Sequence, residues 1–219
     1  MTGVKESFPW TSATGARERA LILATAPARA RAALAALLAL DDALGSVLRT
    51  TREPMLGQMR LTWWNDALSR LDTVRSPPQP VLAALAASVL PHGVTGAVLA
   101  GMIDGWEELL DRGVLADDAL VRFATARGGT LFRSAAHVLG SEDRVDEAGR
   151  GWALSDLAVH SREPGRAPVL AAPLLESAAR QRWSRAGRPL GAMAHLAAMP
   201  RASPAAQTAR VLWHRVTGR

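Results

Sequence analysis

One long apolar stretch, residues 28–49, constrains the fold of this chain more than any other feature. It reads ARARAALAALLALDDALGSVLR, and most of it is Ala and Leu, which are strong helix formers. Pro27 precedes it, in a position where a helix loses nothing through a missing N–H group. A second apolar segment, EPMLGQMRLTWWNDALSRL, follows at 53–71 after a short break. The sequence therefore predicts two long consecutive helices that pack against further helices.

Prolines and glycines divide the rest of the chain into segments of helical length. Helices are predicted over 17–25, 28–49, 54–72, 80–90, 94–112, 116–139, 143–161, 171–183, 188–198 and 204–216. Asp117 and Ser141 each precede acidic residues, which is typical of a helix start. No strand-like alternation of apolar and polar residues occurs over a useful length. We predict an all-α protein with a flexible N-terminal arm over 1–15 and one helical domain over 16–219.

The composition and charge exclude several functional classes. The chain has 26 Lys and Arg against 20 Asp and Glu, and its arginines are spread over the whole length, so we expect no nucleic-acid partner. It has no Cys, which excludes a thiolate metal site and a cysteine nucleophile. Pro91, His92 and Gly93 interrupt the longest uncharged run, so we expect two buried helices there rather than a membrane span. The start lacks the apolar run of a secretory signal, and we expect a cytoplasmic protein.

Two adjacent aspartates, Asp41 and Asp42, face different sides of the first long helix. At about 100° per residue, Asp41 falls among leucines, whereas Asp42 falls in a basic stripe and is expected to form solvated ion pairs. A buried carboxylate must find a partner or change its protonation state. Arg60 lies within the apolar arc of the next helix and needs an anion, either Asp41 or an anionic ligand. We hypothesise an Asp41–Arg60 pair across the two helices.

Two polar pairs with i, i+4 spacing lie on otherwise apolar segments. Asp156 and His160 can hydrogen-bond to each other, as a structural pair or as catalytic residues. Arg133 and His137 form a similar pair and are candidates for an anion site. The Gly128-Gly129 doublet within the same predicted helix permits close helix packing or a kink.

The last predicted helix is basic and amphipathic. It carries Arg210, Trp213, His214 and Arg215 beside Val211, Leu212 and Val216. Such a helix either packs with its basic face in solvent or contacts a membrane surface or a protein partner.

Three segments together resemble the squalene/phytoene synthase family. They are ALLALDD followed by REPMLGQMRLTWWNDAL (36–42 and 52–68), RGGTLFRSAAHVLG (127–140) and WALSDLAVHSREPGRAPVL (152–170). The resemblance is greatest to the sub-branch that includes the complex I assembly factor relatives. It implies an isoprenoid synthase-type antiparallel helical bundle around a central apolar cavity. In the family, two Asp-rich motifs hold Mg²⁺, which binds the diphosphates of two prenyl substrates and stabilises the leaving group.

This chain departs from the family pattern in both acidic motifs. In the first, positions expected to be acidic fall on Gly45 and Ser46, one turn after the two aspartates. In the second, the expected aspartate falls near Ser161, and Glu163 is the remaining acid, with Asp156 one turn earlier. We therefore expect no resident metal or other cofactor.

Two main functional hypotheses follow from the resemblance and its departures. In the first, the protein has lost diphosphate-ionising chemistry and is a prenyl- or lipid-binding or assembly-factor-like member, peripheral to a membrane. In the second, it is an active head-to-head prenyltransferase with a displaced Mg²⁺ site built from Asp41, Asp42, Asp156 and Glu163. A lipid-binding bundle filled by a quinone or prenyl chain is a third hypothesis. The residues expected to contact a ligand are Asp41, Arg60, Trp63, Trp64, Arg133 and His137.

Overall fold

The fold was taken from a computed structural model that describes residues 13–51, 53–75, 77–110 and 113–219. Within these ranges the regular elements are helical, and the prediction of an all-α protein is confirmed. The α-helices are α1 (Ala13–Thr25), α2 (Ala28–Thr50), α3 (Pro54–Ser69), α4 (Pro80–Ser88), α5 (Gly96–Ala100), α6 (Ile103–Glu107), α7 (Asp117–Phe123), α8 (Thr130–Leu139), α9 (Asp146–His160), α10 (Ala167–Arg180), α11 (Arg188–Ala197) and α12 (Pro204–Thr217). A 3₁₀-helix spans Leu90–His92, and a π-helix spans Ala124–Gly129 between α7 and α8.

Proline and capping residues set several of the helix starts. Pro54, Pro80 and Pro204 are the first residues of their helices, where the missing N–H costs no hydrogen bond. The side chains of Gln79 and Ser203 accept hydrogen bonds from backbone N–H groups three residues later. These local signals explain why the predicted starts of these three helices agree with the observed ones.

Several predicted boundaries differ from the observed ones. The helix predicted over 94–112 is two short helices, α5 and α6, separated at Gly101 and Met102. No helix begins at Ser141, because the Asp143 carboxylate accepts hydrogen bonds from Ser184 after α10, and α9 begins only at Asp146. Helix α1 begins at Ala13, so the end of the predicted arm is helical, and the rest of that arm lies outside the described residues.

The π-helix packs directly on α9 through two glycines. A Cβ atom added to Gly128 would overlap the carbonyl oxygen of Gly149, whereas one added to Gly129 would meet only the side chain of Arg133. Close helix packing at the glycine doublet is therefore confirmed at Gly128. On its other faces α9 packs against α10 and α11, and α2 packs against α4 and α8.

Helix α3 has two apolar faces on opposite sides. Leu61, Trp64 and Leu68 are buried, whereas Met55, Leu56, Met59 and Trp63 are exposed. The neighbouring rings of Trp63 and Trp64 meet edge to face with their centroids 5.3 Å apart, so one tryptophan enters the core and the other covers its outer edge. The single apolar arc predicted for this helix is thus divided between core and surface.

Helix α12 is amphipathic in a similar way. It buries Val211 and His214 and exposes Leu212, Trp213 and Val216. Among the described residues, no helix combines the length and the apolar character needed to cross a membrane.

Candidate functional site

A buried arginine, Arg127, joins two aspartates from different helices. Its Nε and Nη2 atoms donate to the two carboxylate oxygens of Asp41, both at 2.8 Å, and its Nη1 atom lies 2.7 Å from Oδ2 of Asp156. The side chains of Arg127 and Asp41 are only 2% and 3% exposed. Bidentate, charge-assisted contacts of this kind are the strongest hydrogen bonds that proteins form.

Two tryptophans complete the surroundings of this guanidinium. The Arg127 Cζ atom lies 4.2 Å from the centroid of the Trp106 ring and 4.7 Å from that of Trp152. Aromatic faces attract cations and also exclude water, which strengthens the salt bridges beside them. We call Asp41, Trp106, Arg127, Trp152 and Asp156 the Arg127 cluster.

Three separate elements bring the cluster together. Asp41 lies in the middle of α2, Asp156 lies near the end of α9, and Arg127 lies in the π-helix. The wider turn of a π-helix changes the direction of its side chains relative to a regular α-helix. Because Gly128 lies against Gly149, the π-helix is close enough to α9 for Arg127 to reach Asp156.

The contact expected between Asp156 and His160 is present and extends the cluster. Nδ1 of His160 lies 2.7 Å from the backbone oxygen of Asp156 and 3.3 Å from its Oδ1. Burial acts to raise the pKa of Asp156, but the charge of Arg127 and the contact with His160 outweigh it and lower that pKa to about 2. Burial acts to lower the pKa of His160, but the Asp156 carboxylate outweighs it, so that pKa is raised.

A second group of charged residues surrounds Asp42. Its carboxylate forms a salt bridge with Arg19 of α1, and Nη2 of Arg49 donates to its backbone oxygen at 3.4 Å. Burial raises the pKa of Asp42 to about 6 although the charge of Arg19 opposes the shift. Burial likewise raises the pKa of Glu18, which is close enough to Asp156 to interact with it. Asp42 is therefore half-buried against α1, and its expected place on a solvated face is wrong.

The hypothesised Asp41–Arg60 pair is wrong. Arg60 is exposed, and its Nη1 atom donates to the hydroxyls of Thr50 at 2.8 Å and Thr51 at 2.6 Å. Helix α3 turns Leu61 toward the core, which leaves position 60 on the outer side. Asp41 is satisfied instead by Arg127, from 86 residues further along the chain.

The structure keeps other predicted site residues away from the cluster. Arg133 is exposed and pairs with Asp146, and the exposed His137 contacts the backbone oxygen of His92 through Nε2 at 2.8 Å. Each of these two side chains therefore has its own partner. Glu163 is exposed after the end of α9.

The residues of the cluster do not fit a Mg²⁺ site. Both carboxylate oxygens of Asp41 and one of Asp156 accept hydrogen bonds from a cation that is already part of the chain. A Cβ atom added at Gly45, the first position where the family pattern expects an acid, would lie 3.0 Å from both Trp106 and Arg49. Among the described residues, no group of three His, Cys, Asp or Glu side chains could hold a metal ion.

Sequence reasoning missed the two central members of the cluster, Arg127 and Trp106. One signal was available, since an arginine among apolar residues needs an anion as its partner if it is buried. The direction in which the Arg127 side chain points could not be predicted, because it depends on the π-helix.

Comparison with known proteins identifies the family of this chain. The model of the squalene/phytoene synthase family matches residues 13–213, which include every member of the Arg127 cluster. A search of curated proteins and a search of solved structures gave no match. The all-α architecture is that of the isoprenoid synthase-type helical bundle. The chain belongs to the squalene/phytoene synthase family.

Proposed function

We propose that this protein is a family member that does not ionise prenyl diphosphates and acts as a lipid-binding protein. The observation that carries the proposal is the double salt bridge of Arg127 with Asp41 and Asp156. Ionisation of an allylic diphosphate depends on metal ions that carboxylates hold and that stabilise the leaving group. In this chain, a guanidinium supplies the positive charge between the two acids.

Displacing that guanidinium would be costly. Removing one partner from a buried salt bridge costs about 3–5 kcal/mol, which is a large part of the total stability of a domain. A metal ion would have to overcome this cost before it gained any coordination energy. We therefore expect Arg127 to prevent Mg²⁺ from binding between the two aspartates.

Two further contacts support the proposal. The ring of Trp106 fills the space next to Gly45, so a carboxylate side chain there would begin in contact with it. Asp42, which the prenyltransferase alternative also needs as a ligand, is paired with Arg19. The prenyltransferase alternative would require the side chains of Asp41, Asp42 and Asp156 to leave their arginine partners together.

The proposed partners follow from the apolar character of the fold. We expect an isoprenoid or other lipid ligand, no metal cofactor, and a cytoplasmic protein that contacts a membrane surface or a protein partner. The face of α12 that exposes Leu212, Trp213 and Val216 suits such a contact, since apolar and basic residues lie side by side on this helix.

A prenyl diphosphate assay tests the proposal. Purified protein is incubated with Mg²⁺ and farnesyl or geranylgeranyl diphosphate, and released pyrophosphate and hydrocarbon products are measured against a reaction without protein and against an active family enzyme. We expect no release above the protein-free reaction. Pyrophosphate release with a head-to-head product that Asp41→Asn abolishes and Arg133→Gln preserves would refute the proposal.

A further inference from the structure

An open apolar groove lies between α9, α10 and the segment that follows α11. Its volume is about 930 Å³, at the upper end of the range usual for ligand pockets. Ser155 of α9 lines the groove, whereas its neighbour Asp156 points to Arg127. The groove therefore lies on a different face of α9 from the Arg127 cluster.

Most of the surface that lines the groove is apolar, and its polar side chains are Ser155, Glu176 and Arg201. Seven alanines from three segments line it, together with two prolines, Val159, Leu175 and Met199. The hydroxyl of Ser155 is not available as a donor, because it donates to the backbone oxygen of Ala197 at 2.7 Å. We expect the part of a ligand that lies along the apolar walls to be hydrocarbon, since a buried polar group without a partner is costly.

The rim of the groove carries one uncompensated positive charge. Two charged residues line it, Glu176 and Arg201. Glu176 accepts a hydrogen bond from Arg180 at 2.6 Å, so its charge is balanced within α10. Arg201 is exposed, and its side chain has no hydrogen bond or ion pair to any residue within 13–51, 53–75, 77–110 or 113–219.

We propose that this groove binds a long-chain fatty acid, with its hydrocarbon chain along the alanine walls and its carboxylate on Arg201. A single arginine matches a single negative charge, whereas a phosphate ester carries about two near neutral pH. The planar guanidinium also matches a carboxylate in two parallel hydrogen bonds. The inference rests on the proposed lipid-binding function and gives it a site and a ligand class.

Titration calorimetry with defined lipids tests the site. Oleate, oleyl alcohol and farnesyl phosphate are titrated into the full-length protein below the concentrations at which each of them aggregates. Two variants fill the groove from opposite walls, Ala172→Trp and Ala198→Trp, and a third, Arg201→Gln, removes the charge. Matched controls at exposed positions of α4 and α2, away from the groove and from α12, are Ala83→Trp and Arg29→Gln, and circular dichroism melts check that every variant is folded.

We expect oleate to bind about tenfold more tightly than oleyl alcohol, because the charged head group adds a charge-assisted contact. Arg201→Gln should abolish this difference, and both groove-filling variants should weaken oleate binding by more than about tenfold. The two control variants should bind as the wild type does. Farnesyl phosphate should bind more weakly than oleate.

Several outcomes would overturn the inference. They are wild-type oleate affinity in both groove-filling variants, equal affinity for oleate and oleyl alcohol, or tighter binding of farnesyl phosphate than of oleate. If the groove-filling variants differ from the wild type in molar mass on sedimentation but not in lipid affinity, a second copy of the chain covers the groove. Pyrophosphate release is measured separately, so the proposed loss of ionising chemistry can fail while the groove result stands.

Discussion

Arg127 and Asp41 form a two-point salt bridge in the protein interior, with both nitrogen–oxygen distances at 2.8 Å. The two residues are 86 positions apart, and neither side chain is more than 3% exposed. This contact ties the π-helix to α2, while the bond from Arg127 to Asp156 ties it to α9. The same charges that make the site unsuitable for a metal thus join three helices.

Replacing Arg127 should be strongly destabilising. In Arg127→Leu, two buried carboxylates lose their partner, and we expect the free energy of unfolding to fall by about 3–5 kcal/mol in urea denaturation. The exposed Arg166, which pairs with Asp117, provides the control, and Arg166→Leu should change stability by less than about 0.5 kcal/mol. Adding Asp41→Leu and Asp156→Leu to Arg127→Leu should restore most of the loss. A single variant as stable as the control would contradict this account.

Gly128→Ala should destabilise the protein although it adds a better helix former. An exposed Gly→Ala change within a helix usually gains up to about 1 kcal/mol. At Gly128 the new methyl group would overlap the backbone of Gly149, so α9 must move away, and we expect a loss of about 1–3 kcal/mol in the same measurement. Gly129→Ala is the matched control, because it lies in the same π-helix and its added Cβ would meet only the flexible side chain of Arg133. Equal effects of the two changes would disprove the close approach.

Two buried histidines should make the protein less stable in acid. His195 and His214 lie with ring centroids 4.6 Å apart, and burial, with the charge of Arg210 added, lowers the pKa of His195 to about 3. In the unfolded chain a histidine has its ordinary pKa of about 6.5. Below that pH the unfolded state therefore holds more protons than the folded state. The contribution of His195 to stability should therefore fall as the pH decreases from about 6.5 towards 3.

The test compares urea midpoints at pH 7 and pH 5. His195→Gln should reduce the difference between the two midpoints, whereas the exposed His92→Gln should keep the wild-type difference. An unchanged difference in His195→Gln would show that other groups cause the acid sensitivity.

The two apolar faces of α3 should respond differently to substitution. Met59 is 64% exposed, so Met59→Gln should change the free energy of unfolding by less than about 0.5 kcal/mol. Leu61 is completely buried two positions later, and Leu61→Ala should cost about 2–5 kcal/mol. A large loss in Met59→Gln would mean that another molecule or segment covers this face in solution.

Local signals in the sequence predicted most of the helices. Pro54 and Pro204 mark helix starts because the structural effect of proline depends only on its own backbone. The burial of Asp41 also followed from its place among leucines on a regular helix. These features depend on neighbours within one or two turns, and so they can be read from one segment at a time.

The partner of Asp41 could not be predicted in the same way. Counting residues around α3 gave one broad apolar arc, but the count does not tell which apolar side chains are covered, and Arg60 lies on the uncovered side. Arg127 comes from a distant element whose helical turn is wider than the regular one. A salt bridge between remote residues depends on the packing of whole helices, which a single segment does not contain.

The π-helix also puts α7 and α8 out of phase. A helix that accommodates one additional residue shifts everything beyond it by about 100° around the axis. Deleting one residue within Ala124–Gly129 would restore the regular phase and turn either Arg127 or the buried face of α8 away from its neighbours. Most helices tolerate substitutions better than changes of length. In this one, a single-residue deletion would separate Arg127 from its two aspartates or turn α8 out of the core.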